Sequence, residues 1–229
     1  MRHLMWIVAL LALAGGAALS EESGRLTVTG EGRVAVAPDM ATVRFGVTVR
    51  EKTAQAALAA ASRAMEKVLA RVREAGIAPR DIRTDALSLS PLWSERGSGQ
   101  TRRITGYVAG NQLTVRVRDL PSLGGLLDAV TASGANTFNG LSLALSDPGP
   151  ALDEARRRAV ADAMARARLY AEAAGVRLGA LLELSETGGL APPVRARQMA
   201  MAAEAVPVAE GELVVRAGVT MVFAILPAR

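Results

Sequence analysis

The sequence has no cysteine, and its single histidine is the third of 229 residues. Beyond the first few residues these absences remove most familiar site chemistry. No Ser-His-Asp or Cys-His nucleophile can be assembled. A nitrogen- and sulfur-ligated zinc site, a disulfide and His- or Cys-ligated haem are excluded as well. Aromatic residues are 3% of the chain while half of it is hydrophobic, so a core must be built from Ala, Val and Leu. What remains for chemistry is Asp, Glu, Lys, Arg, Tyr, Ser and Thr. That set leaves an all-carboxylate metal site or a two-carboxylate hydrolase formally open.

Lysine is scarce too, for 25 of the 27 basic residues are Arg. The formal net charge is +5, which raises nucleic acid as a partner. The charges, however, interleave with Asp and Glu along helix faces, and no aromatic–basic stripe occurs. Nucleic acid is therefore not expected. Long hydrophobic runs are nearly absent. Residues 4–14 form the exception, behind Arg2 and His3 and ahead of Ala18-Leu19-Ser20, a small-x-small cleavage pattern. The run is shorter than the roughly 20 residues that span a bilayer. Residues 1–20 read as a cleaved secretory signal, with an uncleaved N-terminal anchor as the alternative. No cysteine follows the run, which excludes a lipoprotein anchor. The remainder, 21–229, carries no membrane span.

The strongest helical signal lies between Pro150 and Gly179. Leu152, Ala155, Ala159, Ala163, Ala167, Tyr170 and Ala174 recur at three- and four-residue steps and share a face. Asp153 with Arg157, Arg158 with Asp162 and Arg168 with Glu172 have the spacing of ion pairs on the opposite side. Asp147, Pro148 and Pro150 mark the start, and Gly175 sits where a left-handed C-cap ends the helix. The alanine face predicts close packing on a sheet, to which residues 176–184 add a strand.

Residues 25–36 alternate around Gly30-Glu31-Gly32, which reads as a strand with a bulge or tight turn. Gly30-x-Gly32-x-x-Ala35 matches a dinucleotide-binding pattern but opens no helix, so the match fails on context. Residues 41–49 are a half-buried strand. Thr53 caps a helix with the stripe Ala54, Leu58, Ala61, Met65, Val68 and Val72, closed by Gly76. Residues 81–93 and 104–117 are extended, with 94–103 a mobile loop between them. Asp119 caps a short helix with Leu123, Leu126, Leu127 and Val130, stopped by Gly134. Residues 138–145 and 212–226 alternate as strands. Strand, helix, strand, long loop, strand occurs twice. The expected fold is α+β: mixed, mainly antiparallel sheets with helices on one face. It has two strand–helix–strand–strand halves, 21–118 and 119–229, joined by a short helix.

Residues 187–211 form the long irregular piece. Met199 and Met201 there suit either uptake of oxidants or Cu(I), or, as we favour, an adaptable hydrophobic loop packing on a neighbour. With Leu190, Val206 and Val208 they make a candidate interaction loop.

In these segments the sequence resembles the SIMPL-domain family. The landmarks are VTGEGRVAVAPDMATV, DIRTDALSLSP, GYVAGNQLTVRVRDL, SGANTFNGLSLALSD and DEARRRAVADAMARARLYAEAAGVRLG, in that order. The resemblance covers nearly all of 21–229. It implies an exported bacterial protein of the periplasm or outer envelope, of the type often called oxidative stress defence proteins. It supplies no catalytic set. The family's recurring positions fall here on Gly30, Gly32, Pro38, Asp39, Gly106, Tyr107, Asn111, Gly134, Asn136, Ala155, Ala163, Gly175 and Gly179. Turns and caps explain the glycines. Tyr107 and Asn111 stand out, and we read them as satisfied polar groups of the core rather than ligands.

Three functions follow as expectations. The first is a non-catalytic envelope protein that forms a homo-oligomer through long strands with free edges and the 187–211 loop, with an oxidative-stress role implied by the resemblance. The second is a binding module for a small ligand or an envelope or outer-membrane partner. The third is an enzyme using Asp81 with Asp85, or Asp39 with Glu31. We favour the first, and expect no cofactor, no metal and no catalytic residue.

Overall fold

The computed structural model describes residues 24–94, 101–187, 194–195 and 210–228. The elements run β1 (Gly24–Val36), β2 (Met40–Glu51), α1 (Ala54–Glu74), β3 (Ile82–Trp93), β4 (Ile104–Val117) and α2 (Leu123–Ala132). β5 (Thr137–Ala144), α3 (Gly149–Ala173), β6 (Arg177–Thr187), β7 (Val194–Arg195) and β8 (Leu213–Leu226) follow. The fold is α+β, and the strand pairings among the described residues are all antiparallel. The expected leader, 1–20, lies outside the described residues. So do the tip of the 94–103 loop and Leu190, Met199, Met201, Val206 and Val208.

Sheet membership does not follow the order of the chain. One sheet is ordered β3-β4-β2-β5 and the other β1-β8-β6, with β7 also on β8. Residues 40–144 therefore form one sheet by themselves, and β1 crosses to the C-terminal elements. Each sheet has its own core. Beneath α1 and α2 lie Val43, Phe45, Val47, Leu113 and Val115, with Met65, Val68 and Val130 from the helices. Beneath α3 lie Val28, Val219, Met221 and Phe223. The two crossings of the chain, at residues 37–39 and 145–148, lie side by side. Asp39 clasps them: it accepts Ser146 N–H and Oγ–H, each at 2.6 Å, and its own N–H donates to Ala144 O at 3.2 Å.

The alternation of β2 and β8 does what the sequence expects, burying Val43, Phe45 and Val47 in one sheet and Val219, Met221 and Phe223 in the other. Thr53 caps α1, its Oγ1 accepting Ala56 N–H at 3.2 Å. Gly76, Gly134 and Gly175 all have positive φ, at 80°, 111° and 66°. Each closes its helix with the double bond of a Schellman motif. For α3, Val176 N–H reaches Ala171 O and Gly175 N–H reaches Glu172 O.

Five local expectations are overturned in whole or in part. Gly30-Glu31-Gly32 forms neither bulge nor turn: β1 pairs with β8 without a break from Gly24 opposite Ile225 to Val36 opposite Leu213. The buried line of α3 is Ala155, Ala159, Ala163, Ala167 and Ala171, a strict four-residue ridge, and Tyr170 and Ala174 face solvent. Its ion pairs differ too, with Arg157 and Arg158 both on Glu154 and Arg166 on Asp162. The buried stripe of α1 begins at Ala57, with Ala54 and Leu58 at its margin. Asp119 does not cap through its side chain. Its carbonyl accepts Ser122 N–H at 3.1 Å and Ser122 Oγ–H at 2.7 Å, opening a 3-10 turn that leads into α2.

Candidate functional site

The glycines of β1 have a packing role. A Cβ on Gly30 would meet Ala159 O and the Ala163 backbone, and one on Gly32 would meet Ala155 O and the Ala159 nitrogen. Two bare strand positions and an alanine ridge thus let α3 lie directly on the β1 backbone. Glu31, between them on the other face, donates its N–H to Asp162 at 2.9 Å, and its carboxylate accepts Arg33 Nη2 at 2.8 Å.

The carboxylates considered for catalysis are each held by a partner. Asp81 is 5% exposed and receives Arg118 through two bonds, Nε at 2.9 Å and Nη2 at 2.8 Å. These bonds hold its carboxyl below the ordinary range against the opposing effect of burial. Asp85 is lowered by its bond from Arg83, Asp39 by the Ser146 hydroxyl and Glu31 by Arg33. All four environments favour the charged form, the opposite of what a general acid at neutral pH needs. The pairs do not converge either, since Asp85 turns to Arg83 and Arg44 while Asp81 turns to Arg118. Among the described residues no three acidic, His or Cys side chains come close enough to hold a metal.

A cleft of about 290 Å³ opens beside the end of α1. Its polar lining is Arg80, Arg116, Arg118, Asp81, Asp119 and Ser122. Asp81 pairs with Arg118 at 2.8 Å and lies 4.0 Å from Arg80 Nε, so one carboxylate serves two of the three guanidinium groups of the lining. Sequence reasoning did not find this cleft. Its signal was the alternation Arg116-x-Arg118 at the end of β4, with Arg80 beside Asp81.

Tyr107 and Asn111 lie on the helix-covered face of β4, opposite Glu51 and Val47 of β2. Tyr107 packs against the larger core. Asn111 departs from the satisfied state expected of it, for its Oδ1 is buried with no hydrogen-bond partner among the described residues. Asn136, by contrast, substitutes for a length of strand. Its Oδ1 accepts Thr48 N–H and its Nδ2 donates to Thr48 O, both at 2.8 Å.

The most extensive unpartnered feature is apolar and sits at the sheet margins. On the outermost strand β3, Leu87, Leu89 and Trp93 are 64%, 40% and 48% exposed. Ile104, opposite Trp93, is exposed as well, and Arg102 lies over the Trp93 ring at 5.6 Å. On the outermost strand β6, Leu181, Leu182 and Leu184 are about half exposed. The helices cover the central strands and leave these rows open. No helix among the described residues is long and apolar enough to cross a membrane.

Comparison with known proteins finds relatives along nearly the whole chain. The chain is 37% identical to the 26 kDa periplasmic immunogenic protein of Brucella melitensis over 97% of this chain and 93% of that one. The protein of the same name from Brucella abortus gives the same identity and coverage. The uncharacterized protein YggE of Escherichia coli K12 is 27% identical over 76% of this chain and 71% of its own. The SIMPL family model, described as a protein of unknown function, matches residues 26–223, and the chain belongs to that family.

Proposed function

We propose that this chain is an exported, non-catalytic protein of the periplasm that assembles with copies of itself and serves in defence of the envelope against oxidants. One observation carries the reading: the rows of half-exposed leucines on the outermost strands β3 and β6, each beside a backbone edge that is unpaired among the described residues. Isolated exposed apolar residues need no explanation. Rows of them along open sheet edges are the pattern that monomeric proteins guard against. The names of the Brucella relatives support the compartment. The depressed carboxylates support the absence of acid–base catalysis. The 187–211 loop, with Leu190, Met199, Met201, Val206 and Val208, adds apolar surface to the same assembly.

Light scattering after size exclusion tests the assembly, and the expected result is a mass well above one chain. A single-chain mass across a wide concentration range overturns it. The stress role is tested by challenging a deletion strain with oxidants and restoring the gene. Equal survival with and without the gene removes that part of the reading. The Arg80–Arg116–Arg118 cleft favours one second reading, a module for a small anionic ligand, which calorimetry with organic phosphates and carboxylates would reveal.

A further inference from the structure

We infer that two copies of this chain join through β3, over the window 86–90 of its free edge, about a twofold axis at Ser88. The inference rests on the self-assembly proposed above and gives it a surface and a register.

Two independent observations settle which backbone groups of β3 are free. A proline within a sheet must turn its nitrogen away from the ladder. Pro91 stands opposite Tyr107 of β4, so Leu89 and Leu87, of the same parity, also turn their N–H and C=O groups outward. The same parity follows from the far side of the sheet. Thr48 N–H and O bond Asn136, and Gly46 O accepts Asn136 N–H at 3.0 Å. Gly46 and Thr48 therefore face away from β4, while Val47 faces it and bonds Asn111. With Asn111 turned to β2, Gly110 is turned to β3 and meets Ser88. Ser88 is bonded inward, and Leu87 and Leu89 turn outward, unpaired among the described residues.

The free stretch has natural ends. The ladder slips between Thr84 and Ala86, leaving Asp85 bulged, and Pro91 lacks the donor needed to extend pairing at the other end. Between these stops the residues are Ala, Leu, Ser, Leu and Ser. A twofold axis at Ser88 sets that residue against its own counterpart and Leu87 against the partner's Leu89, so like charges at the centre of the window would repel one another. None of these five side chains is charged. The side chains of Leu87 and Leu89 share the face of Asn111 and Ala109, their opposite numbers on β4, and remain exposed.

An antiparallel partner centred on Ser88 satisfies all of this at once. Leu87 exchanges both N–H···O bonds with Leu89 of the partner subunit, and Leu89 does so with the partner's Leu87. Ser88 meets the partner's Ser88 as a non-hydrogen-bonded pair, with Cα atoms about 4.5 Å apart. The four leucines close over one another on one face, and two four-stranded sheets become one of eight strands.

Because the chain has no cysteine, one introduced thiol reports the interface cleanly. In the full-length protein, Ser88→Cys should cross-link almost completely to a dimer under mild oxidation, since a ~4.5 Å Cα separation suits a disulfide. Ser90→Cys should not, because the register pairs it with the partner's Ala86 and holds the two thiol-bearing residues ~13 Å apart. Leu87→Lys alters an exposed side chain, so the circular dichroism spectrum should be unchanged. Added to Ser88→Cys, it should cut cross-linking at least tenfold. Light scattering on the wild type separates the outcomes. An oligomer without a Ser88→Cys cross-link overturns this interface and leaves self-assembly standing, whereas a monomer overturns both. Equal cross-linking at positions 88 and 90 overturns the register.

Discussion

Replacing Gly32 with alanine should lift α3 off its sheet. The new Cβ would run into the Ala155 carbonyl oxygen and lie 2.7 Å from the Ala159 nitrogen. Both are backbone atoms, so no rotamer change relieves the contact. Ordinary separations of ~3.5 Å from both atoms would require the helix to retreat by more than ~1 Å, and a gap of even 0.5–1 Å forfeits roughly a quarter to a half of each dispersion contact along it. The contacts at stake join Ala159, Ala163 and Ala167 to Val28, Val219, Met221 and Phe223. Overpacking costs about 1–3 kcal/mol, and backbone on both sides puts this case at the upper end. For a chain of this length about 3 kcal/mol lowers Tm by roughly 6–12 °C. Alanine in place of a strand glycine would otherwise stabilise by ~0.5–1 kcal/mol, so the sign itself is diagnostic. Gly125→Ala is the control. It lies in α2 with nothing within 4 Å of its added Cβ, and should gain ~0.5–1 kcal/mol. Thermal and urea unfolding followed by circular dichroism would measure both. A Gly32→Ala protein as stable as the wild type refutes the close contact.

Three further outcomes are expected. Asp81→Asn strips Arg118 of its charged partner and should cost about 1–3 kcal/mol at pH 7, at the lower end because Arg118 is half exposed. Since the folded state lowers the Asp81 pKa, that stabilisation is present above the ordinary value of ~3.9 and lost as pH falls through the folded one; urea midpoints of wild type and variant should converge below about pH 4. Gly175→Val must hold a β-branched residue at φ 66° and should lower stability by roughly 1–2 kcal/mol in the same unfolding assay. Asn136→Ala leaves Thr48 N–H and C=O without their partner, so the Thr48 amide should exchange faster by NMR and stability should fall by about 1 kcal/mol.

What the sequence shows well is local. The two-residue period of β2 and β8, the Thr53 cap and the glycines closing each helix all act through neighbours a few residues away, so they are visible in a short window. Gly30 and Gly32 were misread because a strand glycine has the same appearance whether it permits a bend or admits a helix, and the helix that needs the space begins at Gly149. Tyr170 was placed inside because three- and four-residue steps define a broad face, whereas contact with a flat strand selects the narrower four-residue ridge. The carboxylates were visible as residues, but their partners were not: Asp81 and Arg118 meet only because β3 pairs with β4, and Asp39 and Ser146 only because the two crossings coincide. The pairing of β1 with β8 carries no local trace.

That pairing also sets an order of events as the chain is made. Residues 40–144 hold all four strands of their sheet and both helices that cover it, so they can close as soon as they emerge. β1 is made earlier still, yet β8, its sheet partner among the described residues, is nearly the last stretch to appear. A chain that has yet to complete β8 therefore carries a bare first strand, both of whose edges are open to other chains. Any chaperone that meets this protein in transit would find its target at β1. Loss of the chain beyond residue 212 would leave β1 without the strand it pairs with among the described residues.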